Sequence, residues 1–351
     1  MSESELPKKA LIRALIVDDS PFVRKVVKEM LLRSPFIEVA GMARDGEEAL
    51  QMAQELSPDV ITCDLTMPRM DGVEFVRQQM SRRPIPILIL SASPADGNLV
   101  VDALAAGAVD FVRKPTALAS DDLLAVRQEL TDKVKVAARA PIKNLHAEPV
   151  LAPTVEFKPH KRNVDVVAIG ISTGGPQALR QLIPQLPANF PVPLLIVLHM
   201  PVGYTGFFAS KLAEISKLRV REAQNGDTLE AGLALVAQAG HHMKIQRTPS
   251  GQKQVLFSKE PIDKPHRPSV DVLFKSLSEV FGPRTLGIVM TGMGDDGREG
   301  AAWIKAQGGK VITEAEESCI IYGMPRTVVE AGLSDGSAPL NAMAETILKN
   351  L

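Results

Sequence analysis

Short apolar segments alternate with segments of helical periodicity along most of this chain, and this alternation limits the fold more than any other feature. The first pair is ALIVDDS followed by SPFVRKVVKEMLLRS, in which a serine cap and a proline precede apolar residues at helical spacing. Strands that alternate with helices pair in parallel, because each crossover helix returns the chain to the same edge. The pattern therefore predicts α/β domains with doubly wound parallel sheets.

The alternation occurs twice and is interrupted in between. The stretch from Pro141 to Asn163 contains four prolines and no sustained period. A structureless loop of about 20 residues is uncommon inside a compact domain, so we interpret this stretch as a linker stiffened by proline. The predicted domains are residues 11–130 and 163–351, joined by a linker over 131–162.

Composition argues against several classes of function. The formal net charge of −1 offers no strong positive field for nucleic acid or an anionic membrane. The longest apolar runs, such as VPLLIVL, are far shorter than the roughly 20 residues that span a bilayer. Cys63 and Cys319 form no pair motif, which argues against a disulfide scaffold or a structural zinc site. We therefore expect a cytoplasmic protein that binds no nucleic acid and inserts into no membrane.

Polar side chains end successive strands of the first predicted domain. Asp18 and Asp19 follow the first strand, Asp64 ends the third, and Ser91 and Lys114 follow the next two. Open parallel sheets bind ligands at the carboxyl ends of their strands. Converging carboxylates repel one another unless a cation lies between them, and such oxygen ligands suit Mg²⁺ shared with a phosphate. Any one of these residues alone is more simply a helix cap, but the set indicates phosphoryl transfer onto Asp64.

The motifs LIVDDS, DVITCDLTMPRMDG, ILILSA and FVRKP together resemble the receiver domain of two-component response regulators. The resemblance covers about residues 11–130 and implies a flavodoxin-like sheet, Asp64 as the phosphoacceptor and a sensor histidine kinase as the phosphodonor. Thr66 stands where many receivers carry Asn, Glu or Met, which bears on the dephosphorylation rate. The resemblance further implies that Asp18, Asp19, Asp64 and the Thr66 carbonyl hold Mg²⁺, that Ser91 and Lys114 meet the phosphoryl oxygens, and that Phe111 is the switching aromatic.

The second domain contains a G-x-S-x-G sequence, Gly170 to Gly174, between a predicted strand and a predicted helix. A sharp turn of this kind exposes the hydroxyl of Ser172 and leaves backbone N–H groups free beside it. A hydroxyl attacks only when a base, usually a histidine oriented by a carboxylate, takes its proton. Serine and glycine are common in turns, so a purely structural role for Ser172 is the alternative.

A histidine and two aspartates end other strands of the same domain. His199 ends PLLIVLHM, and Asp295 and Asp296 follow TLGIVMTGM. All three would reach the sheet edge that carries Ser172, in the chain order Ser, His, Asp, and triads are defined by geometry and not by order. A single histidine at a strand end is more often structural. The other histidines are less suitably placed: His146 and His160 in the linker, His241 and His242 in a β-rich insert, and His266 in a proline-rich turn.

The same loop supports a second interpretation. GMGDDG, Gly292 to Gly297, is a literal G-x-G-x-x-G between a strand and a helix. Glu314 lies about 20 residues further on, at the end of the next strand, as in dinucleotide-binding sites. The two aspartates inside the loop would repel a pyrophosphate, and the loop does not follow the first strand of its domain. Hydrolysis is therefore favoured over nucleotide binding.

The motifs GISTGGP, LHMPVGYTGFFASKL, HRPSVDVLF, IVMTGMGDDGREG and IYGMPRTVVEAG resemble the catalytic domain of bacterial chemotaxis protein-glutamate methylesterases. That family joins a receiver to this domain in this order, and the resemblance implies a Rossmann-like sheet with a β-hairpin insert. Asp295 stands where the family varies, and VAQAGHHM departs from the AP-G that relatives carry before the His-Met pair. Carried over to matching positions, Ser172 is the nucleophile, His199 the general base, Asp296 its orienting carboxylate and Met293 an oxyanion-hole N–H donor.

Together the two resemblances imply a phosphorylation-activated hydrolase. It would demethylate glutamyl γ-methyl esters, and deamidate glutamines, on the cytoplasmic domains of methyl-accepting chemoreceptors, giving sensory adaptation. They imply Mg²⁺ for receiver phosphorylation, no cofactor for ester hydrolysis and a monomeric protein. The receiver would cover the active face of the second domain until Asp64 is phosphorylated. A response regulator whose C-terminal half binds receptors without hydrolysing anything is the alternative from another class.

Overall fold

The computed structural model describes residues 11–115, 120–141 and 163–351. The chain divides into two compact units, Met1–His146 and Ala147–Leu351, and each is described by itself. Most of the predicted linker, together with His146 and His160, lies outside the described residues. No helix among the described residues is long and apolar enough to span a bilayer.

The first unit contains a five-stranded parallel sheet in the strand order 2-1-3-4-5. The third and fourth strands are buried along their whole length, as expected when helices cover both faces of a parallel sheet. The strands are β1 Ile12–Val17, β2 Ile37–Ala43, β3 Val60–Asp64, β4 Ile87–Ser91 and β5 Asp110–Arg113, and the helices are α1 Pro21–Leu32, α2 Gly46–Leu56, α3 Gly72–Arg82, α4 Gly97–Ala105 and α5 Ser120–Ala137.

The first three helices of this unit begin where short polar side chains accept backbone N–H groups. Ser20, Asp45 and Asp71 cap α1, α2 and α3 in this way. Gly72 follows the last of these caps and packs against the end of β3. A Cβ on Gly72 would overlap the carbonyl oxygen of Asp64. The sequence RMDG after Asp64 therefore places α3 directly against the strand end that carries the predicted phosphoacceptor.

The helix α5 continues into the range predicted as linker. Leu130, Val134 and Ala137 are all fully buried, and they recur at helical spacing. The apolar face of α5 therefore extends past residue 130, and this explains why the helix continues beyond the predicted domain boundary to Ala137.

The second unit contains a seven-stranded parallel sheet and a separate antiparallel hairpin. Together with the first sheet, this confirms the prediction of two α/β domains with parallel sheets. The sheet strands are β6 Val166–Ile171, β7 Leu194–Leu198, β8 Arg219–Glu222, β9 Leu233–Val236, β12 Thr285–Val289, β13 Lys310–Glu314 and β14 Gly336–Ala338, and the hairpin is β10 His242–Arg247 and β11 Lys253–Ser258. The helices are α6 Gly175–Leu182, α7 Thr205–Ile215, α8 Val270–Phe281, α9 Arg298–Ala306, α10 Met324–Glu330 and α11 Leu340–Lys349.

The strand order of this sheet is β14-β13-β12-β6-β7-β9-β8. Its three central strands, β12, β6 and β7, are buried at every position. They are neighbours although β12 is far from the other two along the chain, and they run in the same direction. The residues that follow these three strands therefore meet at one edge of the sheet.

Candidate active site

Ser172 and His199 follow neighbouring strands at the same level. In the register of β6 and β7, Ile171 pairs with Leu198, so the next residue of each strand lies beside the other. The His199 N–H donates a hydrogen bond to the Ile171 carbonyl at 3.1 Å. The sheet register therefore places the backbones of Ser172 and His199, the residues that the sequence predicts as nucleophile and base, side by side.

The loop after β12 contacts Ser172 from the other side. The Ser172 N–H donates to the carbonyl of Thr291 at 3.0 Å. A Cβ on Gly292 would lie 2.7 Å from the Cβ of Ser172, so only glycine fits at that position. Met293 follows directly, and its N–H donates to no acceptor within the described residues. This arrangement leaves a free donor beside Ser172, the predicted nucleophile, as an oxyanion hole would require.

Asp296 is held rigidly by hydrogen bonds to both carboxylate oxygens. Its Oδ2 accepts from His199 Nε2 at 2.8 Å and from the Val270 N–H at 2.7 Å. Its Oδ1 accepts from Ser269 Oγ at 2.8 Å and from the Asp271 N–H at 3.0 Å. Burial acts to raise the pKa of Asp296, but the bond to His199 and the backbone donors outweigh it and hold that pKa below its usual range. Asp296 is therefore a fixed, ionised partner for the imidazole.

The contact with Asp296 determines which imidazole nitrogen can act on Ser172. A carboxylate only accepts hydrogen bonds, so His199 Nε2 carries the proton and Nδ1 has a free lone pair. Nδ1 is buried and has no partner among the described residues. If His199 is the base that the sequence predicts, Nδ1 is therefore the nitrogen that takes the proton.

Three residues of the HRPSVD motif complete the site, and the sequence assigned a role to none of them. The ring of His266 stacks on that of His199 with centroids 4.1 Å apart. Ser269 holds Asp296, and the Asp271 carboxylate accepts the N–H groups of Gly297 and Gly300 at 2.8 Å each. The only signal in the sequence was the resemblance of the motif itself, because its contacts join residues 25 or more positions apart.

These contacts argue against dinucleotide binding by GMGDDG. The N–H groups at the start of α9 that would bind a pyrophosphate already donate to Asp271. Glu314, the residue that would bind a ribose, is fully buried and accepts hydrogen bonds from the Thr291 N–H and Ser318 Oγ. The glycine loop therefore serves the Asp296 carboxylate and the Ser172 turn.

In the first unit, the three predicted acidic residues lie together. Carboxylate oxygens of Asp18, Asp19 and Asp64 lie within 4.8 Å of one another. Lys114 Nζ is 2.9 Å from Asp18 Oδ2 and 2.8 Å from Asp64 Oδ2. Burial raises the pKa of Asp64, and the ammonium of Lys114 only partly offsets this. An all-oxygen donor set of this kind fits a hard cation such as Mg²⁺.

The other residues predicted for the receiver site are Thr66, Ser91 and Phe111, and they differ in burial and in hydrogen bonding. Thr66 is exposed, and its backbone N–H bonds the Asp64 carboxylate. Ser91 is buried at the end of β4, with Oγ 3.2 Å from Asp96 Oδ2. Phe111 is buried within β5. Their roles in phosphorylation stay predictions.

Comparison with known proteins gives a concordant result. A family model described as CheB methylesterase matches residues 167–347, and one described as response regulator receiver domain matches residues 14–126. The protein-glutamate methylesterase/protein-glutamine glutaminase 5 of Myxococcus xanthus is 44% identical over 343 residues, which cover 97% of this chain and 98% of that protein. The protein-glutamate methylesterase/protein-glutamine glutaminase of Pyrococcus horikoshii is 40% identical, with 96% and 93% covered.

A solved structure matches the second unit. The crystal structure of the Thermotoga maritima CheB methylesterase catalytic domain is 36% identical, with a TM-score of 0.52 over 54% of this chain and 99% of that one. The family model, the relatives and this structure all point to the same family. The chain therefore belongs to the CheB methylesterase family, with a response-regulator receiver domain ahead of the catalytic domain.

Proposed function

We propose that this chain is a protein-glutamate methylesterase and protein-glutamine glutaminase that acts on cytoplasmic domains of methyl-accepting chemoreceptors and is activated by phosphorylation. One observation carries the proposal: three adjacent strands present Ser172, His199 and Asp296 at one sheet edge, with His199 held by Asp296 at 2.8 Å. The names of the curated relatives support both activities.

In the first half of the reaction, His199 Nδ1 takes the proton of the Ser172 hydroxyl while Oγ attacks the ester carbonyl carbon. The resulting oxyanion accepts a hydrogen bond from the Met293 N–H. Asp296 stabilises the imidazolium that forms. The imidazolium then returns its proton to the leaving oxygen, and methanol departs from the acyl-enzyme.

In the second half, a water molecule attacks the acyl carbonyl while His199 Nδ1 takes its proton. The second tetrahedral intermediate collapses to free the glutamate side chain and to regenerate the Ser172 hydroxyl. Glutamine follows the same course with ammonia as the leaving group. No step of this cycle requires a cofactor.

We further propose that the receiver controls this activity through phosphorylation of Asp64 by a sensor histidine kinase. Asp18, Asp19, Asp64 and the Thr66 carbonyl would hold Mg²⁺, which when bound neutralises charge on the phosphoryl oxygens. Ser91 and Lys114 donate to those oxygens, and Phe111 responds to the change at Ser91. The added charge relieves inhibition of the esterase. We also propose a monomeric, cytoplasmic protein.

The proposed function is tested by measuring methanol release from membranes that contain methylated chemoreceptors, with and without a small-molecule phosphodonor. We expect release in both conditions and a faster rate with the phosphodonor. Absence of release would contradict the esterase activity. Equal rates in the two conditions would contradict control by the receiver.

Replacing Asp64 with asparagine is expected to abolish the response to the phosphodonor. The amide cannot accept a phosphoryl group, so the variant should release methanol at one rate whether or not phosphodonor is present. The matched control is Glu55→Gln, which changes the same charge at an exposed position of α2. An Asp64→Asn protein that the phosphodonor still accelerates would show that control does not pass through this residue.

Replacing Gly292 with alanine is expected to lower kcat by about 10²-fold, because the new Cβ must displace Ser172 or the loop by a sizeable fraction of an ångström. The clash involves Ser172 Cβ at 2.7 Å and Met324 Sδ at 2.5 Å, both inside the site. The control is Gly336→Ala, where the nearest atom lies at 3.9 Å. Methanol release measures both variants, and a wild-type kcat for Gly292→Ala would refute the close packing of this loop on the nucleophile.

A further inference from the structure

A carboxyl group that the proposed mechanism does not use lies next to the loop that follows β12 and carries Met293 and Asp296. Glu314 ends β13, is fully buried and forms no ion pair with any described residue. Burial raises its pKa. A buried carboxyl without a cationic partner is costly, so its position calls for a specific reason.

The reason lies in the hydrogen bonds that Glu314 accepts. One carboxylate oxygen accepts from the Thr291 N–H at 2.9 Å, and the other accepts from Ser318 Oγ at 2.9 Å. The pairing of β12 with β13 ends at Val289 and Thr313. Thr291 therefore lies beyond the last paired residue of the neighbouring strand, and a side chain supplies the acceptor that the backbone lacks.

Thr291 forms hydrogen bonds both with the turn that carries Ser172 and with the segment that precedes α10. Its carbonyl accepts the Ser172 N–H at 3.0 Å, and its hydroxyl donates to the Thr173 carbonyl at 3.0 Å. The same hydroxyl accepts the Ile321 N–H at 2.9 Å. The orientation of this one residue thus sets the position of the turn that carries the nucleophile.

Thr291 also begins the loop that carries the oxyanion donor. The next residue, Gly292, donates its N–H to the Ile321 carbonyl at 3.0 Å and accepts the Met324 N–H at 2.9 Å. The Met293 N–H follows immediately. A rotation of Thr291 would therefore move the hydroxyl of Ser172 and the Met293 N–H relative to each other, and both must meet one carbonyl group of the substrate.

We infer that Glu314 is a positioning residue for the esterase. Through Thr291 it fixes the turn that carries Ser172 relative to the loop that carries the Met293 N–H. This inference rests on the proposed function. Glu314 does not touch the substrate, and its effect on the site passes through the hydrogen bond that it accepts from the Thr291 N–H.

The test compares Glu314→Leu with Glu314→Gln. Leucine has a similar volume but accepts no hydrogen bond, so the Thr291 N–H loses its acceptor. Glutamine keeps an oxygen for the Thr291 N–H and can donate its amide to Ser318 Oγ. The control for lost stability is Thr313→Val, because Thr313 is a fully buried neighbour on β13 whose hydroxyl contacts only Ser334 and Ser337 among the described residues.

Two measurements report on the site. The first is kcat and KM for methanol release from methylated receptor membranes. The second is the rate at which a fluorophosphonate labels Ser172, with the serine oxygen attacking phosphorus and fluoride leaving. The second reaction needs the nucleophile and the oxyanion donor but no receptor. Thermal unfolding of each variant accompanies both.

We expect Glu314→Leu to lower kcat by about 10²-fold with KM within about twofold of the wild type, because only the reacting geometry changes. The labelling rate should fall in proportion. Glu314→Gln should stay within about threefold of the wild type in both measurements. Thr313→Val should keep its kcat even where its unfolding temperature falls.

Three results would overturn the inference: wild-type kcat and labelling in Glu314→Leu, an equal loss in Thr313→Val at matched stability, or a loss in Glu314→Gln as large as in Glu314→Leu. If Glu314→Leu does not fold, Glu314→Asp tests the same bond, because it keeps a buried carboxyl group but withdraws it by one methylene from the Thr291 N–H. A kcat and a labelling rate at the wild-type level in Glu314→Asp would overturn the inference. A wild type that is labelled but releases no methanol would refute the proposed function alone.

Discussion

Ser172→Ala is expected to lower kcat for methanol release by about 10⁴- to 10⁶-fold, since removal of the nucleophile leaves only the oxyanion donor and binding to favour the reaction. The hydroxyl makes no hydrogen bond with a described residue, and alanine keeps the Cβ that packs on Gly292. Unfolding free energy should therefore change by no more than about 0.5 kcal/mol.

The control for this substitution is Ser250→Ala, which removes a hydroxyl from the exposed turn between β10 and β11. The same experiment separates the two classes of function. If the C-terminal half only binds receptors, the wild type should release no methanol. The Ser172→Ala variant should then behave like the wild type in every assay. Methanol release that survives in Ser172→Ala would show that another residue attacks the ester.

Asp296→Asn is expected to lower kcat by about 10³- to 10⁴-fold, because the imidazolium loses its ionised partner. It should also lower the unfolding free energy by about 1–3 kcal/mol. The two backbone donors explain this: the Val270 N–H bonds Oδ2 and the Asp271 N–H bonds Oδ1. An amide has only one acceptor oxygen, so in either orientation one buried N–H loses its acceptor.

The stability loss should depend on pH in a defined direction. The pKa of Asp296 is lower in the folded state than in the unfolded state, so its ionisation stabilises the fold above the unfolded pKa of about 4. That contribution is lost as pH falls from there towards the folded pKa. The difference in unfolding free energy between wild type and Asp296→Asn should therefore be full at pH 7 and shrink below about pH 4.

The control is Asp295→Asn, because Asp295 is the exposed neighbour whose carboxylate contacts only Arg298 among the described residues. It should keep wild-type kcat and stability. Urea unfolding at neutral and acid pH, together with methanol release, measures both variants. A stability difference for Asp296→Asn that grows in acid would contradict the assignment of a depressed pKa to this carboxylate.

The local order of strands and helices could be predicted from the sequence because periodicity is a property of neighbouring residues. Once parallel sheets are expected, residues that end strands must meet at one edge, whatever the order of the strands. That argument alone brought together Asp18, Asp64 and Lys114 in one unit and placed Ser172 and His199 on one edge in the other. The extent of α5 was harder to predict, since the end of an amphipathic helix depends on what its apolar face covers.

Strand order and hydrogen-bond direction could be known only from the folded chain. Because β12 lies beside β6, Asp296 reaches His199 across 97 positions. Because a carboxylate only accepts hydrogen bonds, Nδ1 is the ring nitrogen left without a proton. The contacts of His266, Ser269 and Asp271 arise in the same way. Glu314 matched a nucleotide-binding pattern in the sequence, yet it accepts a hydrogen bond from Thr291. Hydrophobic periodicity indicates where each strand ends, because it depends only on neighbouring residues. The partners of each side chain depend instead on which distant segments pack beside it.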